Sequence, residues 1–304
     1  IMSGYFTIGL LISFLSYINN FYNPMRQLAA LWATFQVAIA GWDRINQILT
    51  METNLALVPE LTTHDTQAHI SFSGVSFSYP NGQEVLHNVN FELQRGKTYA
   101  FVGPTGGGKT TTASLIARLY DTTKGSVLLH GRDIRSYTPE ERAEKIGFIL
   151  QDPYLFSGTV RDNIAYSNPR YTQGCQQIQT DLQQTGLDTL IARFDEGLDT
   201  HIQPTGDGIS LGQKQLIAFI RTVLRQPELL ILDEATANID TITEQHLEQI
   251  LQKLPETTTR VIIAHRLNTI ESADEIFFVN SGKLLQAGSL NDAVNLLLHN
   301  KRES

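Results

Sequence analysis

An α/β fold built on a mixed sheet is predicted for most of this 304-residue chain, and three observations predict it. Ile70–Phe72, Val75–Phe77–Tyr79 and Val89–Phe91–Leu93 alternate apolar and polar side chains, the period of half-buried strands. Tyr99–Val102, Ile146–Leu150, Leu229–Leu232, Val261–Ala264 and Ile276–Val279 are short apolar runs, as in strands covered on both faces. Helical stretches fall between those runs, near 109–119, 212–225, 241–254 and 290–299. Antiparallel hairpins followed by parallel strands alternating with helices define a mixed α/β domain, expected over residues 70–304.

The first 50 residues obey a different grammar. They hold three charged side chains, Arg26, Asp43 and Arg44, together with both tryptophans. The first 25 carry no charge, and Thr7 to about Leu31 has the length of a bilayer-spanning helix. Asn19, Asn20, Asn23 and Pro24 would lie inside that span, facing other helices or a water-filled path rather than lipid. Beyond Pro24, Leu28, Leu31, Trp32, Phe35, Ile39 and Trp42 recur at helical spacing, so one apolar stripe continues past the membrane surface. No basic segment or small-residue cleavage site marks a signal peptide. The chain begins with Ile, which suggests part of a longer protein. Residues 51–69 lack periodicity, contain Pro59 and read as a linker.

Composition sets limits on function. The 31 acidic and 23 basic side chains leave a net charge of −8, against a general nucleic-acid binder and its basic face. The one cysteine, Cys175, forms no internal disulfide and fits no metal-ligand spacing, which points to a reducing compartment.

Chemistry enters at Gly103-Pro-Thr-Gly-Gly-Gly-Lys109-Thr110, which fits G-x-x-x-x-G-K-[ST] between an apolar strand and a helix. Glycines at 103, 106 and 108 let backbone N–H groups curl around phosphate oxygens. Lys109 supplies a point charge for the β/γ-phosphates, and the Thr110 hydroxyl suits Mg²⁺. Thr105 and Thr111 complete the predicted phosphate cradle, on a helix whose N-terminus favours anions. A nucleoside triphosphate is the expected ligand. Leu229–Leu232 leads into Asp233 and Glu234, the first placed to hold Mg²⁺ and the second to deprotonate an attacking water.

Ile209-Ser210-Leu211-Gly212-Gln213 resembles the L-S-G-G-Q signature of ATP-binding cassette (ABC) proteins, with Leu211 in place of the first glycine. The resemblance covers about residues 70–300, with seven elements in the family's order. It implies a P-loop NTPase cassette: a mixed core sheet, an antiparallel β subdomain and an α-helical subdomain bearing the signature. It further implies that Tyr79 stacks on adenine, that Gln151 contacts Mg²⁺ or the water and faces the membrane domain, that Asp240 is the D-loop aspartate, and that His265 contacts the γ-phosphate. ATP and Mg²⁺ are the implied cofactors. Two cassettes would pack head to tail, with Ser210, Gly212 and Gln213 serving the nucleotide across the interface.

The segment from Gln151 to Ile164 looks like that of ABC exporters, and residues 1–50 resemble their last transmembrane helix and its cytoplasmic extension. This resemblance implies ATP-driven export of an unidentified substrate by a homo- or heterodimer, with the cassette on the cytoplasmic side of the cell membrane. A soluble ATPase of repair or translation leaves residues 1–50 without a role. A regulatory cassette that binds ATP without turnover leaves Glu234 and His265 without one. One departure concerns coupling: exporters carry Gly-Glu-x-Gly where this chain reads Gln203-Pro204-Thr205-Gly206.

Overall fold

A computed structural model describes residues 7–51, 55–59, 68–80, 82–171, 177–203, 208–233, 241–263, 270 and 272–287. The chain divides into two compact units, residues 1–54 and 55–304.

The first unit is one helix, α1 (Ile8–Leu49), of 42 residues and about 63 Å at 1.5 Å per residue. The Thr7 side chain caps it by accepting from the Leu10 N–H at 3.3 Å. The helix continues through Pro24 without ending there, although proline removes one backbone donor. None of its residues is buried, and Leu28, Leu31, Trp32, Phe35 and Trp42 are all more than half exposed. The predicted helical stripe is therefore present and uncovered. Among the described residues no helix is long and apolar enough to cross a membrane.

The second unit opens with a hairpin of β1 (Ala68–Ser78) and β2 (Glu84–Gln94), followed by β3 (Thr98–Val102) and α2 (Lys109–Ile116). Next come β4 (Lys124–Leu129), β5 (Arg132–Asp133), α3 (Pro139–Lys145) and β6 (Ile146–Ile149). A largely helical segment comes after them, made of β7 (Gly158–Thr159), α4 (Val160–Ala165), α5 (Ile178–Thr185), α6 (Asp188–Ile191), β8 (His201–Ile202) and α7 (Leu211–Val223). The chain then returns through β9 (Leu229–Asp233), α8 (Thr241–Gln252), β10 (Thr259–Ile263), β11 (Glu275–Asn280) and β12 (Lys283–Ala287). The two short strands predicted around Gly74 are one bulged strand, and it starts at Ala68, inside the expected linker. The helix predicted near 290–299 lies outside the described residues.

An antiparallel sheet has the order β2-β1-β4-β5, and the core sheet has the order β12-β11-β3-β10-β9-β6. The core sheet is parallel except for β12 against β11. β3 and β9 are buried at every residue, as continuous apolar strands inside a covered parallel sheet should be. Side chains of both sheets share one apolar cluster, in which Phe72 stacks on Phe91 at 4.4 Å and Phe91 meets Phe277 at 5.4 Å. A second cluster joins Ile164, Leu182, Ile217 and Phe219 of the helical segment to Leu230 and Leu232.

Fully buried Arg118, just beyond α2, donates to the carbonyls of Ala56 at 2.7 Å and Arg135 at 3.0 Å, and to Asp121 at 2.8 Å. The same Arg135 carbonyl accepts from Val58 N–H at 3.1 Å, so residues 56–58 are tied to the end of the P-loop helix.

Candidate nucleotide-binding site

β3 delivers the chain to the edge of the core sheet, and the loop after it turns on its glycines. Gly103 has φ +146, and a Cβ there would run into the Val279 carbonyl of β11. A Cβ at Gly107 would come within 2.6 Å of the same carbonyl, and Gly108 takes φ +112 as the residue before α2. Gly106 has φ +81 with open space beside it. Gly108 offers no side-chain cap, so the first N–H groups of α2 lack the partner a serine or aspartate would provide. That is a backbone cradle of the kind that receives phosphate. Pro104, Thr105 and Gly106 stand at its rim, with Thr105 and Gly106 exposed.

Lys109 is 5% exposed, and its Nζ donates to the carbonyls of Gly103 at 2.9 Å and Pro104 at 3.0 Å, which holds the ammonium over the loop. The Thr110 hydroxyl donates to Asp233 Oδ1 at 3.2 Å across 123 residues of sequence. Asp233 ends β9 and is 4% exposed. A buried carboxylate beside a hydroxyl is an all-oxygen donor set, which fits a hard cation such as Mg²⁺. The Thr111 hydroxyl bonds the Tyr79 phenol at 3.0 Å. Tyr79 meets Phe77 and Tyr120 edge-on at 4.8 and 5.3 Å, so its ring stands beside the P-loop helix within an aromatic group.

Parallel register brings Gln151 to the same sheet edge. Ile149 pairs with Leu232, which puts Gln151, two residues beyond, next to the end of β9. Ile263 pairs with both Asp233 and Phe101, so β10 lies between the acidic strand and the P-loop strand and runs toward the same edge. His265, Glu234 and Asp240 lie outside the described residues, as do 204–207 of the segment expected to contact the membrane domain. Ligands of open α/β sheets bind at this carboxyl edge of the strands.

The signature residues form a helix cap. Ser210 Oγ accepts from Gln213 N–H at 3.1 Å, and Gln213 Oε1 accepts from Ser210 N–H at 3.0 Å. Gln213 Nε2 donates to the Arg193 carbonyl at 3.0 Å, so that amide is committed within its own chain. Ser210 and Leu211 are exposed, and Gly212 is half-buried. One contact to a predicted site residue is signalled by no motif: Gln215 of α7, 1% exposed, donates from Nε2 to the Gln151 carbonyl at 3.0 Å. A lone glutamine inside a helix carries no local sign that it reaches 64 residues back.

A glycine cradle at a helix N-terminus, with a buried aspartate opposite its threonine, defines a P-loop nucleotide-binding protein. The sequence profile described as "ABC transporter" matches residues 86–237, and the chain belongs to that family as an ATP-binding domain. It is 40% identical over 294 residues to the uncharacterized ABC transporter ATP-binding protein YfiC of Bacillus subtilis, covering 96% of this chain and 48% of the relative. It is 35% identical over 289 residues to the fatty acid ABC transporter ATP-binding/permease protein of Mycobacterium bovis, covering 95% and 45%. A solved bacterial Atm1-family ABC exporter with ATP bound superposes with a TM-score of 0.73 at 31% identity, covering 97% of this chain and 51% of that one. The chain spans about half the length of the relatives it matches.

Proposed function

We propose that this chain binds and hydrolyses Mg–ATP as the cassette of an ABC exporter subunit, with α1 as the end of the permease portion. The observation that carries the reading is the bond between the Thr110 hydroxyl and Asp233, which joins phosphate loop and acidic strand at one sheet edge.

In this reading the N–H groups of residues 105–111 bind the phosphate oxygens, and Lys109 neutralises the β/γ charge. Thr110, Asp233 and Gln151 are the residues that would hold Mg²⁺. The ion, when bound, offsets charge that builds on the transferring phosphoryl group. Glu234 takes the proton of the attacking water, and His265 holds the γ-phosphate end. Tyr79 supports the adenine side. Ser210, Gly212 and Asp240 serve the interface with a second cassette, where the exposed, capped start of α7 offers a hydroxyl proton and backbone N–H groups to a phosphate. Gln213 acts through the cap, since its side chain is engaged by Ser210 and Arg193.

Docking of a permease helix is supported beside Gln151, where Phe148, Leu150, Tyr154, Tyr166 and Arg221 line a groove. Tyr154 is 74% exposed at its rim. The uncovered apolar stripe of α1 supports packing against further helices of the permease, and in this reading the cassette works on the cytoplasmic face of a membrane. ATP and ADP bind the closed and open pair with different strength, and only such a difference can drive a cycle.

The test is nucleotide affinity measured with and without Mg²⁺, and association of the Glu234→Gln chain with ATP. Magnesium-dependent affinity with ATP-driven pairing is expected. A chain that ignores adenine nucleotides, or stays monomeric when saturated, overturns the reading.

A further inference from the structure

Away from the phosphate loop, the turn after β4 places His130 opposite His69 in β1. His130 N–H donates to the His69 carbonyl at 2.9 Å, one step beyond the Ile70–Leu129 pair. Opposed residues on neighbouring strands share a face, and the two imidazole rings lie 4.6 Å apart. Glu228, immediately before β9, brings its Oε2 to 2.8 Å from His130 Nε2. One ligand atom from each of His69, His130 and Glu228 lies within 4.8 Å of the other two.

The state of His69 points to a ligand. It is 1% exposed, its Nδ1 bonds the Thr259 hydroxyl, and its buried Nε2 has no hydrogen-bond partner among the described residues. Thr259 Oγ1 accepts from Gly96 N–H at 3.0 Å and donates toward the Gln94 carbonyl at 3.5 Å. In the tautomer with the ring proton on Nδ1, directed at Thr259, Nε2 carries a bare lone pair. Metal-ligating histidines have this arrangement, one nitrogen tethered through N–H and the other bare.

We propose that His69, His130 and Glu228 form a site for a divalent transition-metal cation of the zinc type, with water as the fourth ligand. Two imidazoles and a carboxylate match that preference. Metal–ligand bonds of about 2.0–2.2 Å put ligand atoms about 3.4 Å apart, so separations of up to 4.8 Å close by at most about 1.4 Å while the 2.8 Å His130–Glu228 pair opens. The movable members are His130 and Glu228, whose side chains are 34% and 30% exposed and open the way in from solvent. Lys145 Nζ holds Glu228 Oε1 at 2.7 Å and leaves Oε2 to the cation. The cation replaces the hydrogen bond between His130 and Glu228, and it ties β1 and the β4–β5 turn to the strand that ends in Asp233.

The test is titration of the nucleotide-free 304-residue chain with CoCl₂, followed by displacement with ZnCl₂. One saturable site with the visible absorption of four-coordinate cobalt is expected. Zinc at a hundredfold excess over its Kd should raise the unfolding midpoint by about 5 °C or more. His130→Ala and Glu228→Gln should each weaken binding by more than the roughly 10–100-fold cost of losing an outer-shell partner. Thr110→Ala should leave cobalt binding unchanged. Absence of a saturable cobalt band, binding that survives both ligand substitutions, or binding lost with Thr110 overturns the proposal.

Discussion

The carbonyl oxygen of Val279 occupies the space where a side chain at Gly103 would stand. β11 thereby dictates the first residue of the phosphate loop through main-chain sterics, and φ +146 adds a conformational demand that only glycine meets cheaply. Gly103→Ala is expected to cost about 2–4 kcal/mol of stability, from overpacking and backbone strain together. Urea unfolding of the two chains measures it, and a cost under about 0.5 kcal/mol contradicts the geometry.

Thr110 and Asp233 make a hydroxyl–carboxylate pair, so the chemistry of each should matter more than its bulk. Thr110→Ser is expected to retain magnesium-dependent turnover. Thr110→Val and Asp233→Asn should lose at least about 10²-fold, the scale of removing one electrostatic stabiliser. Steady-state ATPase rates across a magnesium titration separate these outcomes.

Glu234→Gln is expected to keep ATP binding while turnover falls at least ~10²-fold, as removal of a general base does. Near-normal hydrolysis by this variant excludes Glu234 as the base.

His69 carries a pH dependence whose sign is set by its lowered pKa. The folded ring titrates at about 4 against a reference of 6.5, because burial disfavours its charged form. Between those values the unfolded chain binds the extra proton, so stability is intact above about pH 6.5 and falls as pH drops toward 4. The loss is on the order of 3 kcal/mol. His130, Glu228, Lys145 and Arg95 share the surroundings and are common to wild type and variant. Denaturant unfolding at pH 5 and pH 7 with chelator present should show a shallower pH dependence in His69→Gln than in wild type.

Ser210→Ala removes the acceptor for Gln213 N–H and should cost about 1 kcal/mol of stability, the usual worth of an N-cap. In the proposed pair it also removes a hydroxyl from the nucleotide, so ATP-driven association should weaken far more than folding does. Equal losses in both measurements would reduce Ser210 to a structural cap.

Legibility in the sequence tracked distance along the chain. The phosphate loop, the apolar strand into Asp233 and the Ser210 cap are contiguous segments whose chemistry is spelled out by neighbours, and the fold places each as the local pattern implied. Pairs joined across long separations were silent: Thr110 with Asp233, Gln215 with Gln151, and His130 with Glu228 meet only because the sheets bring them together. β5 and the short helices of the central segment carry too few apolar residues for a period to emerge.

The 3.0 Å bond from Gln215 to the Gln151 carbonyl makes one mechanical piece of two surfaces. Turning α7 drags on the strand-end loop that flanks the acidic edge, and pressing on that loop turns the face where Ser210 waits. A displacement at either surface is thus felt at the other.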